Sequence, residues 1–353
     1  LTRQSVHFKL RVLELLEIFT SKQSASPLVF HVLMPLLDSL RGKRSPDHEV
    51  LYARILAVFR RTCKPKKLPK IGELGVDLES VHANMTALMD KAENASQTDV
   101  LAMINVALFY YARITLQHSK QEAKWLASLY NQRLQQRIEN VRLFNYKFFA
   151  EFFARFPDLS WDLAKTLAAG AAPLSSAHSH SSRWMRHECV QHLQTLFKRR
   201  HKVQDHLPVV TALVPSIHSL LTTTLASATT PPSPAPSANG LDEQTVFRED
   251  AKKTAKAVKE VIQLGSSFLQ ILAKTPFLES SFKVIADGAL RQGFLALPAA
   301  VYEACKSPIH QFFRTAAWEI PASKQSKPSK NSAKVAGGTS DQPSNNGSKK
   351  RKQ

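Results

Sequence analysis

Catalytic signatures are missing from this sequence. It has no Walker A loop, no GxGxxG after a strand, no HExxH and no GxSxG. Polymerase chemistry needs clustered carboxylates that hold two divalent ions. The acids here, such as Glu14, Glu17, Glu243 and Glu260, are scattered in the manner of solvated helix-surface groups. The doublet Glu249-Asp250 would splay on a helix beside Lys252 and Lys253. Cysteine is scarce too: Cys63, Cys189 and Cys305 lie more than 100 residues apart. An odd number with no framework spacing points to a reducing compartment. No uninterrupted apolar run approaches the roughly 18 residues that would mark a membrane span, and no signal peptide is seen. Clean period-two alternation, the mark of a half-buried strand, is also absent.

Helical periodicity fills the space left. In "HFKLRVLELLEIF" (7–19), Phe8, Val12, Leu15, Leu16 and Phe19 make one stripe, and Leu10, Leu13 and Ile18 widen it. Apolar on more than one face, this helix is expected in the interior of a stack. With no initiator Met before it, the chain is expected to be a piece of a longer polypeptide. Further helices are predicted at 27–40, where Pro35 predicts a kink or break, and at 47–61, with Asp47 as N-cap. The helix at 77–94 opens on Asp77. Residues 98–118 and 120–140 form either one long bent helix or a hairpin. Helices follow at 141–156, at 158–170 with Gly170 as C-cap, at 183–200 and at 208–227. The last predicted helices are 243–275, with a possible bend at Gly265, then 279–295, 298–305 and 307–318.

This pattern predicts an all-α fold: an irregular helical-repeat solenoid of the HEAT or armadillo kind, with a closed irregular bundle as the rival. The expected organisation is a solenoid region at 1–227 and a Pro/Ser/Ala-rich linker at 228–242. Helices at 243–321 pack on the same array, and a disordered Lys-rich tail occupies 322–353. The Phe149, Phe152, Phe153 and Phe156 stripe is read as core in preference to a base-stacking platform.

Charge is one-sided. The formal net charge is +20, and without residues 324–353 the surplus is still 13. A folded part that basic favours an anionic partner, nucleic acid or acidic protein. Three loci concentrate the charge. Arg60, Arg61, Lys64, Lys66, Lys67 and Lys70 sit on a helix end and loop, and Lys198, Arg199, Arg200 and Lys202 at another helix end. Lys252, Lys256 and Lys259 share one helix face, with Lys253 adjacent. The bland alternative for each is a solvated face. Lys349, Lys350, Arg351 and Lys352 read as a nuclear import signal. His178, His180, His187, Cys189 and His192 cluster in sequence, but their spacing is wrong for zinc, and no metal or cofactor is expected.

The opening phrase "HFKLRVLELLEIF", the all-helical run after it and the Lys-rich end "SKKRKQ" resemble the C-terminal region of the Myb-binding protein 1a / DNA polymerase phi family. The acidic low-complexity stretch typical upstream in that family is absent here. The resemblance implies a non-catalytic nucleolar scaffold of ribosome biogenesis, working in ribosomal RNA transcription or processing. Its implied partners are ribosomal RNA or rDNA-associated complexes, and transcription factors or pre-ribosomal proteins. No membrane and no small-molecule substrate is expected. The rival readings are a repeat adaptor or transport protein binding peptides, and a nucleic-acid enzyme of the polymerase type.

Overall fold

The computed structural model describes residues 3–26, 28–40, 49–65, 67–72, 77–93, 95, 97–172, 180–199, 203–229, 243–275 and 278–320, with side chains for all but Arg3, 180–182 and 243–251. Among the described residues every regular element is helical. The first six are α1 (Arg3–Lys22), α2 (Leu28–Leu40), α3 (Glu49–Thr62), α4 (Leu78–Glu93), α5 (Thr98–His118) and α6 (Lys120–Glu139). The middle holds α7 (Tyr146–Arg155), the single turn α8 (Pro157–Ser160), α9 (Ala164–Ala171), α10 (His180–Arg199) and α11 (Leu207–Thr229). The last are α12 (Glu243–Lys274), α13 (Glu279–Ile285), α14 (Gly288–Leu295) and α15 (Ala299–Thr315). The predicted cap at Asp47 falls outside the described residues.

Local chemistry sets several boundaries. Asp77 caps α4, its carboxylate accepting from the Ser80 amide at 2.5 Å. Between α5 and α6 the backbone of Ser119 is extended, and its hydroxyl accepts from the Glu122 amide. Residues 98–140 are therefore a hairpin. The predicted helix at 141–156 begins only at Tyr146, because Phe144 takes a left-handed conformation (φ 55°) and Asn145 caps α7. Pro35, Pro215 and Pro308 are carried inside continuous helices, so no break occurs at Pro35 and the predicted helices on either side of Lys306 are one.

Two glycines serve close packing instead of the predicted backbone roles. α9 runs through Gly170, where a Cβ would come within 2.8 Å of Cys189 Sγ and Ile138 Cδ1. α12 continues through Gly265, where a Cβ would meet Leu221 at 2.9 Å and Phe312 at 3.0 Å.

One apolar core extends from Leu13 to Ala316. α5 lies at its centre, packed against α2, α4, α6 and α7. Further along, α10 packs on α9 and α12, and α12 on α11 and α15. By length and composition, 98–118 and 203–229 are long and apolar enough to cross a bilayer. The sequence expectation counted only uninterrupted apolar runs and missed both. In the fold, 72% of the first window and 44% of the second is buried inside the protein.

Ion pairs tie second-neighbour helices together. Glu17 of α1 holds Arg54 and Arg61 of α3 at 2.5 and 2.6 Å, and Asp38 of α2 holds Lys91 of α4 at 2.7 Å. His82 and Asp90 of α4 hold Glu122 and Arg133 of α6 at 2.7 and 2.5 Å. Such pairing is what a stack of helices in layers produces. Glu17 and Glu260 are thus partnered, in contrast to the solvated state expected of them.

α1 differs from expectation in orientation. It packs on α3 through Leu13 and Thr20, while Phe8 (70% exposed), Leu15 (67%), Ile18 and Val12 face outward. The stripe read as interior is thus split: Phe8, Val12, Leu15 and Ile18 are bare, while Leu10, Leu16 and Phe19 are partly buried against the core. The Phe stripe of α7 is core as predicted: Phe149, Phe152 and Phe153 are buried, and Tyr130 stacks on Phe152 at 3.7 Å. Phe152→Ala is expected to cost about 3–5 kcal/mol in urea denaturation. Phe8→Ala should stay within about 0.5 kcal/mol, as surface changes do. A reversed order of the two would contradict this packing.

Candidate functional site: a buried histidine cluster and three cationic faces

α10 carries the densest polar group of the sequence, and the fold disperses it. His178 lies outside the described residues, as does the side chain of His180. His187 turns to α12 and bonds Glu260 at 2.5 Å through Nδ1. Cys189 is buried against α9, and burial pushes its thiol up to about 12. His192 is buried between the rings of Tyr146 and Phe153. Among the described residues no group of three His, Cys, Asp or Glu side chains could hold a metal.

A buried ion pair organises this region. Arg137 of α6 (1% exposed) donates from Nε and Nη2 to the two Glu188 oxygens at 2.7 and 2.6 Å. Its Nη1 donates to the carbonyls of Leu143 at 2.6 Å and of Phe144. The guanidinium also lies 5.0 Å from the Trp184 ring. His192 Nε2 stands 3.7 Å from Glu188, too far for a hydrogen bond but close enough for charge coupling. Burial by itself would raise the Glu188 carboxyl, but His192 and Arg137 outweigh it and hold it below the usual range. Burial lowers the His192 imidazole, and Glu188 only partly restores it.

The cationic loci are placed differently from one another. In the first, Arg61 is engaged with Glu17 and with Ser21 Oγ at 3.3 Å. Arg60, Lys64, Lys67 and Lys70 are exposed, while Lys66 lies outside the described residues. In the second, Arg199 donates to the terminal carbonyls of α7, Phe153 (3.3 Å) and Ala154, so it caps a neighbouring helix. Lys198 is exposed, and Arg200 and Lys202 lie outside the described residues.

In the third, Lys252, Lys253, Lys256 and Lys259 are all exposed on α12, opposite the buried Ala255, Val258, Val261 and Ile262. Here the fold adds residues that the sequence reading missed. α15 lies alongside and brings Lys306, His310 and Arg314 to the same groove as Lys259. These three sit at i, i+4 and i+8 of one helix. That spacing was legible, but a predicted break at Lys306, between helices at 298–305 and 307–318, cut its register. The signal 349–352 lies outside the described residues.

Stacked α-helices stapled layer to layer define an all-α helical-repeat array. Residues 23–233 match the family described as Myb-binding protein 1A-like, TPR repeats, and the chain belongs to that family. It is 31% identical over 110 residues to Myb-binding protein 1A of Mus musculus, and 31% over 111 residues to a Myb-binding protein 1A-like protein of Danio rerio. Each alignment takes in 30% of this chain, which covers only 8% of the relative's length. A chain from the computational design of self-assembling cyclic homooligomers aligns over 88% of this chain and 95% of its own, at 10% identity and a TM-score of 0.27. A likeness that low carries no argument.

Both pKa shifts give one sign. Glu188 and His192 each bind protons more weakly folded than unfolded, so the unfolded chain takes up more protons and stability is lost as pH falls. The His192 share is complete above about pH 6.5 and is lost below it; the Glu188 share is complete above about pH 4.3 and is lost below that. Urea midpoints should therefore drop between about pH 7.5 and about pH 5.5. His192→Gln should shrink that drop, and an undiminished drop would assign it to other groups.

Proposed function

We propose that this chain is part of a non-catalytic scaffold of the nucleolus, serving ribosomal RNA transcription or processing. It joins RNA or rDNA-associated complexes to protein partners, pre-ribosomal proteins and transcription factors among them, and so acts as a transcriptional co-regulator. One observation carries the reading: the match of 23–233 to a family described by Myb binding and TPR repeats. Helical-repeat arrays work by presenting extended surfaces to partners. The names of the mouse and zebrafish relatives describe binding.

The side-chain chemistry supports it. Glu17, Asp38, Asp90, Glu122, Glu188 and Glu260 are each engaged with a basic partner on another helix. Carboxylates so engaged are poorly placed to gather around two divalent ions. A polymerase reading would need metal-dependent nucleotide incorporation that carboxylate substitution abolishes.

The reading includes nuclear entry through Lys349, Lys350, Arg351 and Lys352. Replacing all four by Ala in the otherwise intact protein is expected to lower nuclear accumulation in fluorescence images, and the unsubstituted protein should concentrate in nucleoli. Exclusion of the unsubstituted protein from nuclei would contradict the proposal.

A further inference from the structure

α12 and α15 run side by side in the same direction. Cys305 Sγ donates to the Ala255 carbonyl at 3.3 Å, and further along both helices Gly265 abuts Phe312. A groove of about 730 Å³ opens beside Lys259 of α12 and Glu303, Lys306, His310 and Arg314 of α15. Three permanent cations thus face one carboxylate. Glu303 does not cancel the field: Lys306 Nζ, 3.2 Å away, is its partner, which leaves Lys259 and Arg314 uncompensated within the groove. His310 records that field. Burial first, and then the charges of Lys306 and Arg314, lower its proton affinity, with Glu303 opposing.

The dimensions suit a chain of anions. Lys306 to Arg314 spans about 12 Å of helix at 1.5 Å per residue, and packed helices lie about 8–10 Å apart. Lys256 and Lys252 continue the α12 face one and two turns beyond Lys259. Ser307 and Gln311 add neutral hydrogen-bonding groups to the wall. The apolar part of the wall is Ala304 and Pro308, so there is no deep pocket to seat the aromatic or aliphatic anchor on which peptide docking depends. The lining holds no Phe, Tyr or Trp on which a base would stack; its one ring is the His310 imidazole.

We propose that the groove between α12 and α15 binds the phosphodiester backbone of single-stranded nucleic acid, with Lys259, Lys306 and Arg314 on successive phosphates and Lys252 and Lys256 extending the track. The site rests on the RNA-binding reading above and gives it an address, on helices beyond the matched segment 23–233. Phosphate contacts position without reading bases, so binding is indifferent to sequence. RNA and DNA share this chemistry, and the test separates them.

The test uses the full chain carrying Ala at 349–352, so that the tail contributes less. The probes are a labelled mixed-sequence RNA of about 20 nucleotides, the DNA of the same sequence, and polyglutamate of equal charge as competitor, at about 50 mM salt. Triple reversal Lys259→Glu, Lys306→Glu, Arg314→Glu is compared with reversal of Lys9, Arg11 and Lys22, exposed cations of α1 outside the three loci and an equal change of charge. The groove variant should weaken RNA binding at least about tenfold and flatten the log–log salt slope by about 2, roughly 0.7 per lost contact. The control should lose under about threefold. The single neutral change Arg314→Gln, gentle to folding, should flatten the slope by about 0.7. Equal losses in both triple variants would reduce the effect to overall charge and overturn the site. An unaffected groove variant that still binds RNA would overturn the site and leave the scaffold reading standing. No RNA binding by the parent chain would overturn both. Polyglutamate displacing RNA from the groove at lower concentration than RNA itself would assign the groove to acidic proteins and overturn the proposal. Tighter binding of DNA than RNA would keep the phosphodiester site and move its occupant to DNA.

Discussion

The buried pair Arg137–Glu188 joins α6 directly to α10. Arg137 lies in the last turn of α6, and Glu188 lies in α10. The guanidinium spends its remaining donors on the turn at 141–144, where Phe144 sits at a positive φ that a bulky residue rarely accepts. That turn lets α7 fold back so that Phe148, Phe149 and Phe152 meet Tyr130 and the core. A buried ion pair is not by itself a source of stability, since desolvation offsets much of its attraction. Its value here is in geometry. An Arg left alone in this position would cost about 3–5 kcal/mol, so α6, the turn and α10 are held to one arrangement.

The same economy of acids explains the surface. The chain has 28 acidic residues against 48 basic ones. Several of the acids serve as staples between helices: Glu17 for α1 and α3, Asp38 for α2 and α4, Glu122 for α4 and α6, Glu260 for α10 and α12. Exposed staples contribute about 0.2–1 kcal/mol each, so their main effect is on register and on the field. With these acids turned toward partners, the groove beside α15 presents Lys259 and Arg314, its Glu303 already held by Lys306. The basic character is thus concentrated by folding, beyond what the net charge implies.

Much of the helical skeleton was legible, because a 3.6-residue apolar period survives any tertiary context that buries one face. The opening of α4 at Asp77 and the Phe152 stripe followed from local chemistry, whereas the Ser119 cap that decides for a hairpin at 98–140 was not read. Partners were not legible. The stripe of α1 was readable as apolar, but periodicity is silent on what covers it, and Phe8 and Leu15 face outward. Gly170 and Gly265 were read as backbone devices, when close approach of Cys189 and Leu221 is what requires them. A break was placed at Lys306, where one helix runs from Ala299 to Thr315, and that error hid the Lys306–His310–Arg314 row. The Arg137–Glu188 contact joins residues 51 apart, and no pattern within a single sequence announces it.

If Arg137–Glu188 couples the two parts of the array, the coupling must show beyond the pair itself. Native-state amide hydrogen exchange on Glu188→Ala, compared with the unsubstituted protein, measures this directly. Protection should fall together in α6, α7, α10 and α12, by a similar free energy in each. Loss confined to α10, with α6 and α7 unchanged, would contradict the account.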